Sequence, residues 1–256
     1  MILVLSGTKE GTQIISQLAV QGNEIYAVTA TAHGTKTASG IPGVKAVEPA
    51  ILINNFYRFC ADKKISVIID ATHPFPGNLS KMAKEVCQQQ DLPYIRLVRE
   101  ETDLPDHPLI NPVYSWEEAA SKAAQFGDTI FLTTGSNNLE GFLENEHIKG
   151  KRVVVRVLPD WKVIQKCQNL GLTPKDIVAM QGPFSKEMNR QQFKMYNASV
   201  IITKDSGKAG GTDTKVSAAL SLGLPVVVIK RERQKEKFEV TDYDSLYKLM
   251  QKLKLL

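Results

Sequence analysis

The chain has 256 residues, 43% of them hydrophobic, with 32 Lys and Arg against 27 Asp and Glu; that length holds one large or two modest domains, and the composition excludes disordered and fibrous classes. The longest apolar run, Leu222 to Ile229 with Gly and Pro counted, is far below the roughly 18 residues of a membrane span, and Met1 leads into Ile2-Leu3-Val4-Leu5 with no basic segment before it, so a cytoplasmic protein is expected. Cys60, Cys87 and Cys167 are odd in number and widely spaced, which fits neither a disulfide framework nor a zinc site, and the basic excess lies mostly in residues 230–256, where interleaved acids predict a solvated surface rather than a nucleic-acid or membrane partner.

In chain order, short apolar runs alternate with amphipathic stretches, the pattern of repeated βα units. Ile2 to Leu5 reads as a strand, Thr12 to Gln21 as a helix stopped at Gly22, and Glu24 to Ala30 as a second strand. Ile65 to Ile69 and Tyr94 to Val98 read as strands around a helix from Leu79 to Gln90. Residues 99–113, with Pro105, Pro108 and Pro112 among charges, show neither period and are expected to be a linker. Strands follow at Thr129–Thr133, Arg152–Val157, Ile177–Met180, Val200–Thr203 and Pro225–Ile229. Helices are expected at Trp116–Gln125, Lys162–Leu170, Lys186–Tyr196 and Thr214–Leu222. Thr241 with Asp244 resembles a capping box, and Leu246, Leu249, Met250 and Leu253 form one face of a last helix. The expected division is 1–98, linker 99–113, and 114–256.

Ligands of open parallel sheets bind outside the carboxyl ends of the strands, and there the chain places Ser6-Gly7-Thr8-Lys9-Glu10-Gly11, Asp70-Ala71-Thr72-His73-Pro74 and Thr134-Gly135-Ser136-Asn137. Further on come Leu158-Pro159, Gln181-Gly182-Pro183-Phe184 and Lys204-Asp205-Ser206-Gly207. Gly7 and Gly11 stand between a strand and a helix, where backbone N–H groups hold a diphosphate; the same glycines also suit a plain tight turn. After the second strand Thr29, Thr31 and Lys36 stand where a NAD site usually shows an acid, so a 2′-phosphate is tolerated and Lys36 is placed to pair with it. The nucleophile elbow, the Walker loop and the HExxH zinc pair are missing. His33, His73, His107 and His147 are scattered singly, so no metal is expected, and His73 is read as ordering its loop.

Together these stations resemble the precorrin-6A reductase family of cobalamin biosynthesis, in its cobalt-free and cobalt-containing branches. The resemblance is carried by Gly7-Thr8 with Glu10-Gly11, Asp70-Ala71-Thr72-His73-Pro74-Phe75, Pro93-Tyr94-Ile95-Arg96 and Leu132-Thr133-Thr134-Gly135-Ser136 with Asn138-Leu139. It continues through Arg156-Val157-Leu158-Pro159, Met180-Gln181-Gly182-Pro183-Phe184-Ser185 with Asn189, Thr203-Lys204-Asp205-Ser206-Gly207, and Gly210-Gly211-Thr212 with Lys215. Thr12 and Gln13 stand where the family's first helix often carries Arg.

The resemblance implies an α/β enzyme of two Rossmann-like domains, each with a parallel sheet flanked by helices, and a ligand cleft between them. It further implies hydride transfer from NADPH or NADH to one double bond of a tetrapyrrole macrocycle. The cofactor residues expected are Gly7, Thr8, Glu10, Gly11, Thr12, Thr29, Lys36, Thr72 and His73. Substrate carboxylates are expected at Arg156, Lys204 and Lys215, with Gly135, Ser136, Gln181, Gly182, Asp205, Ser206, Gly211 and Thr212 around them. No residue stands out as the proton source. A monomer or weak homodimer is expected. Rival readings are a noncatalytic nucleotide or tetrapyrrole binder and a different NAD(P)-dependent enzyme; the Tyr-x-x-x-Lys pair of sugar epimerases is missing.

Overall fold

Strand β1 (Ile2–Ser6) is buried along its whole length, and its alternate residues enter two separate cores, Ile2 and Val4 on one side and Leu3 and Leu5 on the other. Burial on both faces belongs to a parallel strand covered by crossover helices. The computed structural model describes all residues except 30–31, 73–77, 99–101, 208–209 and 232–234, and the side chains of 32–33. After β1 come α1 (Lys9–Val20), β2 (Ile25–Thr29), α2 (Ala32–Ser39), β3 (Val44–Val47), α3 (Pro49–Asp62), β4 (Val67–Ala71), α4 (Asn78–Gln90) and β5 (Tyr94–Leu97). Next are β6 (Ile110–Val113), α5 (Trp116–Ala123), β7 (Thr129–Leu132), α6 (Leu139–Leu143), β8 (Arg152–Val157), α7 (Trp161–Asn169), β9 (Ile177–Ala179) and α8 (Lys186–Met195). The chain ends through β10 (Val200–Lys204), α9 (Thr212–Leu220), β11 (Val226–Ile229), β12 (Phe238–Val240) and α10 (Tyr243–Lys252).

The chain divides into two units, Met1–Glu100 with Gln234–Leu256, and Glu101–Arg233. Each contains a six-stranded sheet, and every strand pair is parallel. In the first unit the order is β12-β5-β4-β1-β2-β3, so the direction of winding reverses between β1 and β4. Ile14, Ile15 and Leu18 of α1 and Leu246 and Met250 of α10 cover the Ile2–Val4 face. Leu52, Phe56 and Cys60 of α3 and Ala83, Val86 and Cys87 of α4 cover the other. Burial pushes the Cys60 and Cys87 thiols up to about 12, which leaves them protonated and inert. In the second unit the order is β6-β11-β10-β7-β8-β9, and the reversal falls between β7 and β10. Phe131, Val154, Ile201 and Val226 of its strands pack with Phe193 of α8 and Val216 of α9.

Three features depart from the sequence expectation. Between residues 32 and 64 the chain forms α2, β3 and α3, where the sequence reading assigned no element; α2 and β3 are short and weakly apolar, whereas α3 does present Leu52, Phe56 and Cys60 at helical spacing. The expected linker holds β6 at its end, paired with β11 from Ile110↔Val226 to Val113↔Ile229; Pro112 is tolerated because β6 is an edge strand. The tail belongs with the first sheet and not the second. Phe238 pairs with Ile95, Val98 N–H donates to Val240 O at 2.8 Å, and Glu236 is ion-paired with Lys84 of α4. The apolar face of α10 announces a helix, but nothing local to it says which sheet it covers. Its capping box is Asp242 with Ser245 rather than Thr241 with Asp244, because only the hydroxyl three residues into the helix reaches back to the capping N–H.

Met250 is fully buried against the first sheet. Met250→Ala is expected to cost about 2–5 kcal/mol, read as a lowered denaturation midpoint; an unchanged midpoint contradicts this docking of the tail.

Candidate functional site

The turn after β1 is built around one hydroxyl. Thr8 Oγ1 accepts the Gly11 N–H at 3.1 Å and donates to Ala71 O at 3.2 Å, so it caps α1 and ties that cap to the end of β4. Thr12 N–H and Oγ1 both donate to Thr8 O, at 3.2 and 3.3 Å. Gly7 is exposed and Glu10 partly buried. A Cβ on Gly11 would lie 2.5 Å from Ser6 Oγ and 3.1 Å from Ala71 Cβ. Gly11 therefore serves the close approach of helix to sheet, the task of the last glycine in dinucleotide-binding turns. Gly7-Thr8 stand at the N-terminus of α1, where N–H groups and the helix dipole favour negative charge. The Thr29 hydroxyl shares a 2.8 Å hydrogen bond with that of Thr35, and Lys36 is exposed in the last turn of α2.

On the next strands lies a buried polar network of which the sequence reading named Asp70, Tyr94 and Arg96 only as motif residues and expected a binding role only of Thr72. Asp70 and Arg96 are cross-strand partners, 0% and 6% exposed, with Arg96 Nη1 2.5 Å from Asp70 Oδ1. Asp70 also accepts the Thr72 N–H at 3.0 Å and the Tyr94 hydroxyl at 2.6 Å. Arg96 Nη1 donates to Thr72 Oγ1 at 2.8 Å, and that oxygen is 3.0 Å from Ser80 Oγ. Burial first, then the Asp70 carboxylate, raises the Tyr94 phenol above its ordinary pKa, so Tyr94 remains a donor. A charge at the end of each of two apolar strands was the available signal; only the parallel register makes them a pair. The network fixes the backbone as it leaves β4. His73, which follows, lies outside the described residues.

In the second unit Arg156 ends its strand buried, at 6% exposure. Its Nη1 donates to Asn189 Oδ1 at 2.7 Å and to Gln192 Oε1 at 2.8 Å, both on α8, and the guanidinium lies 4.2 Å from the centre of the Phe184 ring. These partners are all neutral, and burial pulls the Arg156 pKa down to about 10. Lys215, partly buried on α9, donates to Thr203 Oγ1 at 3.4 Å. Burial, then the Arg156 charge, pulls its pKa down to about 8 against the opposing pull of Asp213 and Asp205. A desolvated guanidinium with amide oxygens on one edge and a second cation nearby has the chemistry that suits an anion.

Lys204 belongs to a different place. Adjacent residues of a strand face opposite sides of the sheet, so Thr203 meets Lys215 whereas Lys204 Nζ reaches Asn138 Oδ1 at 3.3 Å and sits 5.1 Å from the Trp116 ring centre; burial lowers its pKa. Asp205 and Thr212, expected around the substrate, are committed to the chain itself. Asp205 accepts from Thr102 Oγ1 at 2.8 Å and from the Thr102 and Gly207 N–H groups at 3.2 Å. Thr212 Oγ1 accepts the Ser206 N–H at 3.2 Å and donates to Lys204 O at 3.3 Å. With Gly211 at φ 67°, they shape the loop after β10. Ser206 is buried within that loop. Gly135, at φ 74°, and Ser136 follow β7, while Gln181 and Gly182 are exposed after β9.

A sequence model of the family described as precorrin-6x reductase CbiJ/CobK matches residues 1–251. A cobalt-precorrin-6A reductase of Priestia megaterium is 37% identical over 236 residues, 91% of each chain. Another, of Methanothermobacter thermautotrophicus, is 35% identical over 90% of this chain and 76% of that one. Among solved structures, CobK precorrin-6A reductase superposes with a TM-score of 0.77 over 98% of this chain and 96% of its own, at 22% identity, a likeness of fold.

Two outcomes follow from the geometry. Gly11→Ala should lower stability by about 1–3 kcal/mol through overpacking, and Ser6→Gly should restore most of it in the double variant; additive losses would show that the two residues do not meet. Citrate should bind the second unit with an affinity that falls roughly fivefold as pH rises through 8, because the bound anion favours the charged form of Lys215 and that form is lost there. Isothermal titration across pH should show the fall, and Lys215→Met should flatten it.

Proposed function

We propose, from the premise that the chain belongs to the precorrin-6x reductase family, that its first unit holds a reduced nicotinamide dinucleotide and its second the carboxylate rim of the macrocycle it reduces. The reaction is the reduction of one double bond of precorrin-6A, or of its cobalt-bearing counterpart, to the 6B level in cobalamin biosynthesis. The observation that carries the reading is the Arg156–Lys215 pair: two cations, one of them buried among neutral partners, in a family whose substrates are rimmed by acetate and propionate groups.

Gly7 and Thr8 at the start of α1 fit the diphosphate, with Gly11 and Thr12 holding the turn, Glu10 beside it and Thr72 closing it from β4. No acid occurs between Ile25 and Gly40, and Lys36 on α2 supplies a cation for a 2′-phosphate beyond Thr29. The donor is accordingly NADPH rather than NADH. When bound, the dihydronicotinamide supplies the hydride.

The chain's own residues bind and orient. Arg156 and Lys215 take carboxylates on one face of the second sheet and Lys204 on the other. Gly135, Ser136, Gln181, Gly182 and Gly211 leave backbone groups at the same edge, where Asp205, Ser206 and Thr212 brace the loop. Positioning of this kind supplies most of what hydride transfer requires. The proton for the neighbouring carbon comes from water or from a substrate carboxyl group. No helix among the described residues is long and apolar enough to cross a membrane. We assign the reaction to the cytoplasm, by analogy with other biosynthetic enzymes, and to a monomer or weak homodimer.

Anaerobic mixing of the protein with reduced nicotinamide and precorrin-6A, with and without cobalt, should consume the nicotinamide absorbance and give a product heavier by two hydrogens. Lys36→Ala should raise KM for NADPH about tenfold and leave NADH unaffected, the loss of roughly one charge-assisted hydrogen bond. No oxidation with either macrocycle would overturn the reading.

A further inference from the structure

Large apolar side chains are exposed together where the β8–β9 edge of the second sheet ends. Leu158 directly follows β8 and Met180 directly follows β9. These strands pair through Val157↔Ala179, and Met180 N–H donates to Val157 O at 2.9 Å, so both side chains leave neighbouring strand ends. Trp161 opens α7 one residue after the capping Asp160, and Met188 lies in the first turn of α8. They are 48%, 39%, 67% and 43% exposed in the order Leu158, Met180, Trp161, Met188. Single exposed apolar residues need no account, but four around two adjacent strand ends form a patch.

The patch is joined to the cation site by one side chain. Gln192 accepts from Arg156 Nη1 through Oε1 at 2.8 Å and donates to Met180 Sδ through Nε2 at 3.4 Å. Apolar surface and desolvated guanidinium thus adjoin, and among the described residues no acid pairs with Arg156. We propose that Leu158, Trp161, Met180 and Met188 form a platform for one apolar face of the macrocycle, with Arg156 holding a carboxylate at its rim. The inference rests on the functional reading above and deepens it: this edge sets which macrocycle is accepted.

The chemistry of the ligand matches that arrangement. A corrin precursor is broad, apolar on its faces and anionic around its rim, so it needs area and charge side by side. An indole stacks on the conjugated part. Thioethers, unbranched and polarizable, follow the part puckered by saturated carbons.

The test is the exposed pair Trp161→Ser and Met180→Gln, singly and together, with melting temperature confirming the fold. Each should raise KM for the macrocycle about tenfold, from the apolar area no longer covered, while kcat and KM for NADPH stay within about twofold. Trp161→Phe should retain most of the affinity. Titration of uroporphyrin, a stable flat polycarboxylate, into the parent and double variant should show the same loss without turnover. A parent that reduces neither precorrin-6A nor its cobalt form defeats the functional reading, and the titration then judges the platform separately. Unchanged KM and unchanged uroporphyrin affinity in the double variant would overturn it. So would unchanged KM with a dimer-to-monomer shift on sedimentation, which would make the patch a contact between copies.

Discussion

A parallel strand covered by helices on both faces has no solvated side on which to carry polar groups, and this constraint arranges everything else in the molecule. β1, β4 and β10 are buried at every position, so their interiors are apolar and their chemistry is displaced to the ends. Asp70, Arg96, Arg156 and Lys204 all stand in the last two or three residues of a strand. The winding reversals, between β1 and β4 and between β7 and β10, then decide which ends have room for a ligand.

The buried charges at those ends are of two kinds. Asp70 and Arg96 complete each other, with Thr72 and Tyr94 hydrogen-bonded to them and Ser80 to Thr72, and further hydrogen bonds of this kind are the condition under which a buried ion pair is tolerated. Such a network holds backbone in place. Arg156 has amide oxygens and an aromatic face in place of an acid, and Lys215 adds to its charge instead of cancelling it. Among the described residues no acid is hydrogen-bonded to Arg156. The difference lies in partners, since the two guanidinium groups are equally hidden from water.

The edges of the sheets show the same economy. β6 and β12 are only four and three residues long, and short edge strands limit pairing with other chains. β6 is remote in sequence from its partner β11, and β12 from the whole of the sheet it completes. For β12 the consequence is that the first unit's core depends on the last residues of the chain, through Leu246 and Met250.

Much of this was legible in the sequence. Val, Ile and Leu runs separated by amphipathic stretches identified nine of the strands and seven of the helices around them, because period and length are local properties. The strand-end motifs, taken together, pointed to the precorrin-6A reductase family. Other features were decided only by the tertiary structure. Gly11 reads equally as a phosphate cradle or a packing contact until Ser6 and Ala71 are seen against it. Asp205 and Thr212 look like ligand groups until Thr102 and the loop backbone take their hydrogen bonds. The last residues declare an amphipathic helix, yet the strand before it and its docking on the first sheet rest on a pairing between Phe238 and Ile95, far apart in the chain. A sequence states which side chains prefer burial and at what period; it does not state which distant partner buries them, because that choice is made by the whole set of competing contacts at once.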